Sequence, residues 1–215
     1  PRLGRVSDSA NTRSVKIGSD ERTGWSSDRP RRGNAPERKP DISVRGRVLQ
    51  PTDRLRYTPG SLVLVAAPDR DGAEQYMTGV LEDRAALISP QRVQRLLKGR
   101  VPDEQLAEQS ATVLEAAVHK RLNAGDATVL IMDGLGAEER EGWLRAAAAL
   151  RRPRHLILLD GSGGDDEDRA ALGELRKALI AGELGEEGFH TAIRLGGSAA
   201  GEVKRLVFRS PPKDE

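Results

Sequence analysis

The stretch Leu62-Val-Leu-Val-Ala-Ala-Pro-Asp-Arg-Asp-Gly-Ala-Glu74 decides how this chain reads. Its first five residues are apolar without alternation, which suits a strand covered on both faces. Gly60 marks the turn into it, and Gln75 and Tyr76 lie in a helical pattern beyond. A strand passing through a short loop into a helix opens a βαβ unit, and ligands of such folds gather beyond the carboxyl ends of the strands.

The same alternation continues toward the carboxyl terminus. Apolar runs at 86–89, 128–133, 155–160 and 191–195 read as further strands, and 90–98, 102–123, 137–150 and 165–181 as helices. Asn123-Ala-Gly125 is a helix stop, and 202–209 alternates in the manner of an edge strand. The expected class is α/β, a three-layer sandwich on a mostly parallel sheet spanning 59–215.

Residues 1–58 read differently. Their apolar residues are isolated, and Asp28-Arg-Pro-Arg-Arg-Gly-Asn-Ala-Pro-Glu-Arg-Lys-Pro40 holds three prolines. Such a segment buries too little surface to offset its ordering entropy, so an extended or disordered arm is expected. Of the 215 residues, the first 60 carry 14 Lys+Arg and 7 Asp+Glu, and the rest carry 21 and 26. A basic arm is thus joined to a mildly acidic body. Arg29, Arg31, Arg32, Arg38, Lys39, Arg45 and Arg47 are its candidate partner-binding residues. Guanidinium groups so spaced pair with carboxylates along a protein groove or with phosphates of nucleic acid. The interspersed acids and single Trp25 favour protein.

Composition removes several classes of function. There is no Cys, hence no disulfide, thiolate nucleophile or Cys-bound metal. No run of about 18 apolar residues occurs and no secretory signal is read, so neither membrane insertion nor secretion by a signal peptide is expected. The expected location is the cytoplasm or a particle assembled there.

The loop after the first body strand lacks what a phosphate cradle needs. It has one glycine, no Lys and no hydroxyl in register, and Asp69, Asp71 and Glu74 place negative charge where a triphosphate would lie.

The order of segments nevertheless resembles the polynucleotide-kinase-like group of P-loop kinases. Ile88-Ser-Pro-Gln-Arg-Val-Gln-Arg-Leu-Leu97, Val129-Leu-Ile-Met-Asp-Gly-Leu-Gly-Ala-Glu-Glu-Arg140 and Leu156-Ile-Leu-Leu-Asp160 carry the resemblance, which covers roughly 60–209. It implies a P-loop-kinase-like fold and a degenerate nucleotide site at Ala66, Asp69, Asp71, Gly72, Gln91 and Asp133. The family's phosphate-binding Lys would fall at Gly72, its general-base Asp at Gln91, and its substrate-clamping Arg at Gln94, with Arg92 or Arg95 nearby. Asp133 keeps a carboxylate compatible with Mg²⁺ contact, and equally with capping the next helix. The family's arginine-bearing lid is replaced by Asp160-Gly-Ser-Gly-Gly-Asp-Asp-Glu-Asp168, read as a flexible loop entering an acid-rich helix start.

Other groups offer less chemistry. His119, His155 and His190 read as far apart, on a helix, a strand start and a loop, with neither catalytic nor metal spacing. Ser89 and Ser162 lack a nucleophile-elbow context, and Trp143 reads as a core-facing helix residue. Arg151-Arg-Pro-Arg154 reads as a solvated connection that could add a phosphate contact.

The expected function is therefore a non-catalytic binding or assembly module, needing no cofactor or metal. Its arm would thread over protein subunits of a larger complex, including a virion or other particle. The alternatives are a divergent phosphotransferase using Asp133 and Arg92 or Arg95, and a nucleic-acid adaptor using the arm.

Overall fold

A computed structural model describes residues 40–161 and 163–210. In chain order the strands are β1 (Arg47–Val48), β2 (Arg54–Tyr57), β3 (Leu62–Ala66), β4 (Leu87–Ile88), β5 (Thr128–Ile131), β6 (Arg154–Leu159), β7 (Thr191–Leu195) and β8 (Arg205–Phe208). The helices are α1 (Arg70–Val80), α2 (Pro90–Leu97), α3 (Asp103–Ala124), α4 (Ala137–Ala149), α5 (Asp166–Ala181), α6 (Leu184–Glu187) and α7 (Ser198–Glu202).

Six strands form one sheet in the order β1-β7-β6-β3-β5-β4, and every pairing in it is parallel. β3 lies inside it, paired from Leu62 to Val65 with β5 and from Leu62 to Ala66 with β6. All five of its residues are buried, as its unbroken apolar run requires.

Alternate residues of the sheet serve alternate faces. Leu62, Leu64, Leu130, Leu156 and Leu158 pack with Leu114, Val118 and Leu122 of α3, Leu144 of α4 and Leu172, Leu175 and Leu179 of α5. Val63, Val65, Val129, Ile131, Ile157 and Ile193 face the other way, against Ala73 and Met77 of α1. The result is the expected α/β arrangement, a mostly parallel sheet between helical layers.

The boundary at residue 58 is corrected: the compact unit begins at Asp41. Residues 41–58 supply two strands. Leu55 and Tyr57 are buried while Arg54 and Arg56 are exposed, a period of two in Arg54-Leu-Arg-Tyr57 that basic composition conceals. β2 pairs in parallel with β8, so the carboxyl-terminal segment read as an edge strand belongs to a separate two-stranded ribbon. That ribbon packs Leu55, Tyr57 and Leu206 onto the α1 face.

β1 extends the main sheet beside β7, with Arg47 opposite Thr191. Just before it, Val44 N–H donates to Gly185 O of α6 at 2.9 Å. A Cβ on Gly185 would stand 2.6 Å from Val44 O and Gly46 N, so this close approach requires glycine there. Arg45 and Arg47 are thus exposed residues of the compact unit; Arg29, Arg31, Arg32, Arg38 and Lys39 lie outside the described residues.

Candidate functional site

The carboxyl ends of β3, β5 and β6 lie side by side, and the residues that follow them are packed against one another. After Ala66 the loop is only Ala67, Pro68 and Asp69, because α1 begins at Arg70. The sequence reading drew a longer loop, through Glu74. Asp69 caps α1, its carboxylate accepting the Gly72 N–H at 2.9 Å, and this side chain starts the helix early. Gly72 therefore sits in the first turn of α1, with Asp71 exposed beside it.

This capping has a chemical consequence. The amino end of a helix attracts anions through its unpaired N–H groups and its dipole. Here the protein's own carboxylate has taken the Gly72 N–H, where a bound phosphate would compete for it. A phosphate beside the exposed Asp71 would also be opposed by about 1 kcal/mol at 4 Å in water and more near a protein surface.

Arg70 is the cation of this loop, and it is engaged. Its Nη1 and Nη2 donate to Asp168 Oδ2 and Oδ1 at 3.2 and 3.1 Å, a bidentate pair with the first turn of α5. Its Nε donates to the backbone oxygen of Asp133. One guanidinium thus ties together the chain segments that leave β3, β5 and β6.

The acidic segment that follows β6 packs against the same place. Asp165 caps α5 by accepting the Asp168 N–H at 2.8 Å, matching the acid-rich helix start read from sequence. Gly163 lies so near the β3 loop that its Cβ would stand 2.8 Å from that of Asp69. Asp160, at the end of β6, accepts from Arg176 Nη2 at 2.8 Å and Arg194 Nε at 2.7 Å. These arginines hold an acid in place and are not directed to an incoming phosphate.

Asp133 follows β5 and is exposed. The capping role considered for it belongs to a different residue: Gly136 is the N-cap of α4 and has no side-chain cap. Glu139 instead reaches back, accepting the N–H groups of Asp133 at 3.1 Å and Gly134 at 2.8 Å. Burial pushes the Glu139 carboxyl above the ordinary range, against the lowering effect of those two hydrogen bonds. Asp133 and Glu139 border a cavity of about 460 Å³, walled by Pro90, Leu114 and Trp143. Ser110 also lines it, and its buried hydroxyl has no hydrogen-bond partner among the described residues.

Gln91 is the second residue of α2, whose N-cap is Ser89. Its Oε1 is buried without a partner among the described residues, while Gln94 on the next turn lines the cavity. Arg95 pairs with Glu74, which also accepts from Ser89 Oγ at 2.6 Å. The structure thus joins Asp69, Gly72 and Asp133 through backbone bonds and Arg70, and sets Gln91 on the neighbouring helix. Arg70 was missed by sequence reasoning, although its place directly after a capping Asp was visible.

The histidines require a correction. Parallel pairing of β6 with β7 puts His155 opposite Thr191, and the rings of His155 and His190 lie 6.3 Å apart. His155 bonds to Thr191 Oγ1 at 2.8 Å and Ser61 Oγ at 3.3 Å, and burial pulls its pKa down to about 3. His119 lies on α3 beside Glu115 and Trp143. Trp143 is half-buried against the core, as its sequence position suggested. Among the described residues no group of three or more His, Asp or Glu is placed to hold a metal ion. No described helix is long and apolar enough to cross a membrane.

No protein-family model matches this chain, and no curated protein matches it.

Proposed function

We propose that this chain is a non-catalytic binding and assembly module, a P-loop-kinase-like domain whose nucleotide end is filled by its own side chains. The observation that carries this reading is the Asp69 carboxylate on the Gly72 N–H, braced by the Arg70–Asp168 pair. An active phosphotransferase leaves its helix start and its nearest cation to the nucleotide; here both are engaged by carboxylates of the fold. The resemblance to the kinase group is supported by β3 lying inside the parallel sheet and running through its loop directly into α1. On this reading the basic amino-terminal segment engages protein subunits of a larger complex, such as a virion or other particle.

Thermal unfolding with and without ATP and Mg²⁺ tests the loss of nucleotide chemistry. No shift is expected. A ligand at 100 times its Kd adds about 2.7 kcal/mol, so binding would be evident. A shift abolished by Asp133→Asn would replace this reading with a divergent phosphotransferase, for which Asp133 beside the 460 Å³ cavity is the favouring feature.

Recovery from the native source, with and without residues 1–40, tests assembly. Protein present in fixed ratio and lost with those residues is the expected outcome. Nucleic acid lost with them would identify an adaptor instead.

A further inference from the structure

The opposite, amino-terminal end of the sheet holds a second cavity, of about 340 Å³. Asp41, Ser43, Arg151, Arg152, Arg154 and His190 line it. Arg154 was read as part of a solvated connection, but as the first residue of β6 it is only 5% exposed. Its Nη2 donates to Ile42 O at 3.3 Å, while Nε and Nη1 have no hydrogen-bond partner among the described residues. A guanidinium buried with donors unmet is costly unless an anion completes it.

We propose that this cavity binds a phosphate group. Arg154, which borders the cavity, carries the two unmet donors that an anion would complete. His190 Nδ1 accepts the Arg154 N–H at 3.2 Å, so the neutral ring carries its proton on Nε2 and can donate it. Arg151 is exposed and lies at the cavity wall. Its backbone φ of 54° is the left-handed conformation that favours glycine, and strain of this kind collects at functional positions. Arg152 adds charge, its Nε being engaged by Leu122 O at 3.1 Å. Asp41, the cavity's one acid among the described residues, accepts the Ser43 N–H at 2.9 Å. Three arginines against one aspartate favour an anion, and the guanidinium fork suits phosphate oxygens. The site does not depend on the state of the cleft at the other end of the sheet.

Calorimetric titration of the full chain with inorganic phosphate, in a chloride buffer, tests the proposal. One saturable site is expected. Arg151→Gly, which the backbone accommodates, should weaken it about tenfold, the loss of one charge-assisted hydrogen bond. Arg154→Leu should abolish it; if that variant does not fold, Arg151→Gly decides. Absence of saturable binding, or equal affinity in Arg151→Gly and the parent, overturns the proposal. Competition by a 5′-phosphorylated oligonucleotide, but not by its unphosphorylated copy, would assign the phosphate to a nucleic-acid end. Competition by neither would assign it to the free ion or a small phosphorylated molecule. Competition by both would replace the site with diffuse backbone contacts.

Discussion

Arg151 occupies at the end of α4 the position that Gly125 occupies at the end of α3. Each is left-handed, with φ of 54° and 80°. Each helix end is closed by the same two bonds, Arg151 N–H to Ala148 O and Arg152 N–H to Ala147 O matching Gly125 N–H to Leu122 O and Asp126 N–H to Arg121 O. Gly182 repeats the pattern after α5. This is a Schellman closure, whose left-handed residue is usually glycine.

The substitution Arg151→Gly should therefore stabilise the fold. Relief of the left-handed strain gives about 1–2 kcal/mol, and the freer unfolded chain returns about 0.4–1 kcal/mol of it. Urea unfolding should show a higher midpoint with an unchanged slope. A lower midpoint would mean that the Arg151 side chain contributes more to the fold than its backbone costs.

Removing Arg70 should destabilise the structure without altering its helix content. Arg70→Ala leaves Asp168 without its bidentate partner and Asp133 O without a donor, at a cost of about 2 kcal/mol. In a double-mutant cycle Arg70→Ala and Asp168→Ala should couple by about 1 kcal/mol, since the pair is only partly exposed. Purely additive losses would show that the pair contributes nothing to the folded state.

Asp69→Ala should cost about 1 kcal/mol by uncapping α1, and Asp69→Ser should restore most of it. Chemical denaturation of the three proteins checks this ranking. Similar losses in both variants would show that the cap is not what Asp69 contributes to the fold.

Acid should destabilise the fold from about neutral pH downward. With His155 held near 3 in the fold and near 6.5 in the unfolded chain, the unfolded state binds the proton first as pH falls. The stabilisation is complete above pH 6.5 and is lost between there and about pH 3, at up to about 1.4 kcal/mol per pH unit. His190, also lowered by burial and by Arg154, acts in the same direction. Glu139 acts oppositely, since its raised carboxyl takes a proton in the fold before it does in the unfolded chain. Unfolding free energies across this range should show the loss, and His155→Gln should flatten it.

The body was legible because β3 is apolar throughout and β6 is apolar from Leu156 to Leu159, and only strands covered on both faces tolerate such runs. Gly125 announced the end of α3, because glycine suits the left-handed closure found there. β2 escaped detection because two of its four residues are arginines, and its alternation becomes informative only opposite β8. The identity of Asp69 and Arg70 was plain in the sequence; that they engage Gly72 and Asp168 was not, because α5 begins about a hundred residues later. Arg154 looked solvated within a basic run, and only the pairing of β6 between β3 and β7 buries it.

The pairing of β2 with β8 also sets an order of events during synthesis. Arg54–Tyr57 leaves the ribosome about 150 residues before Arg205–Phe208, the strand it must join. β1 likewise waits for β7, so two early segments remain open-edged until the chain is almost complete. Such long-range parallel closure slows folding and exposes strand edges in the meantime. The arginines that hide β2 from a sequence reader keep the waiting segment charged, a protection against pairing with the wrong chain.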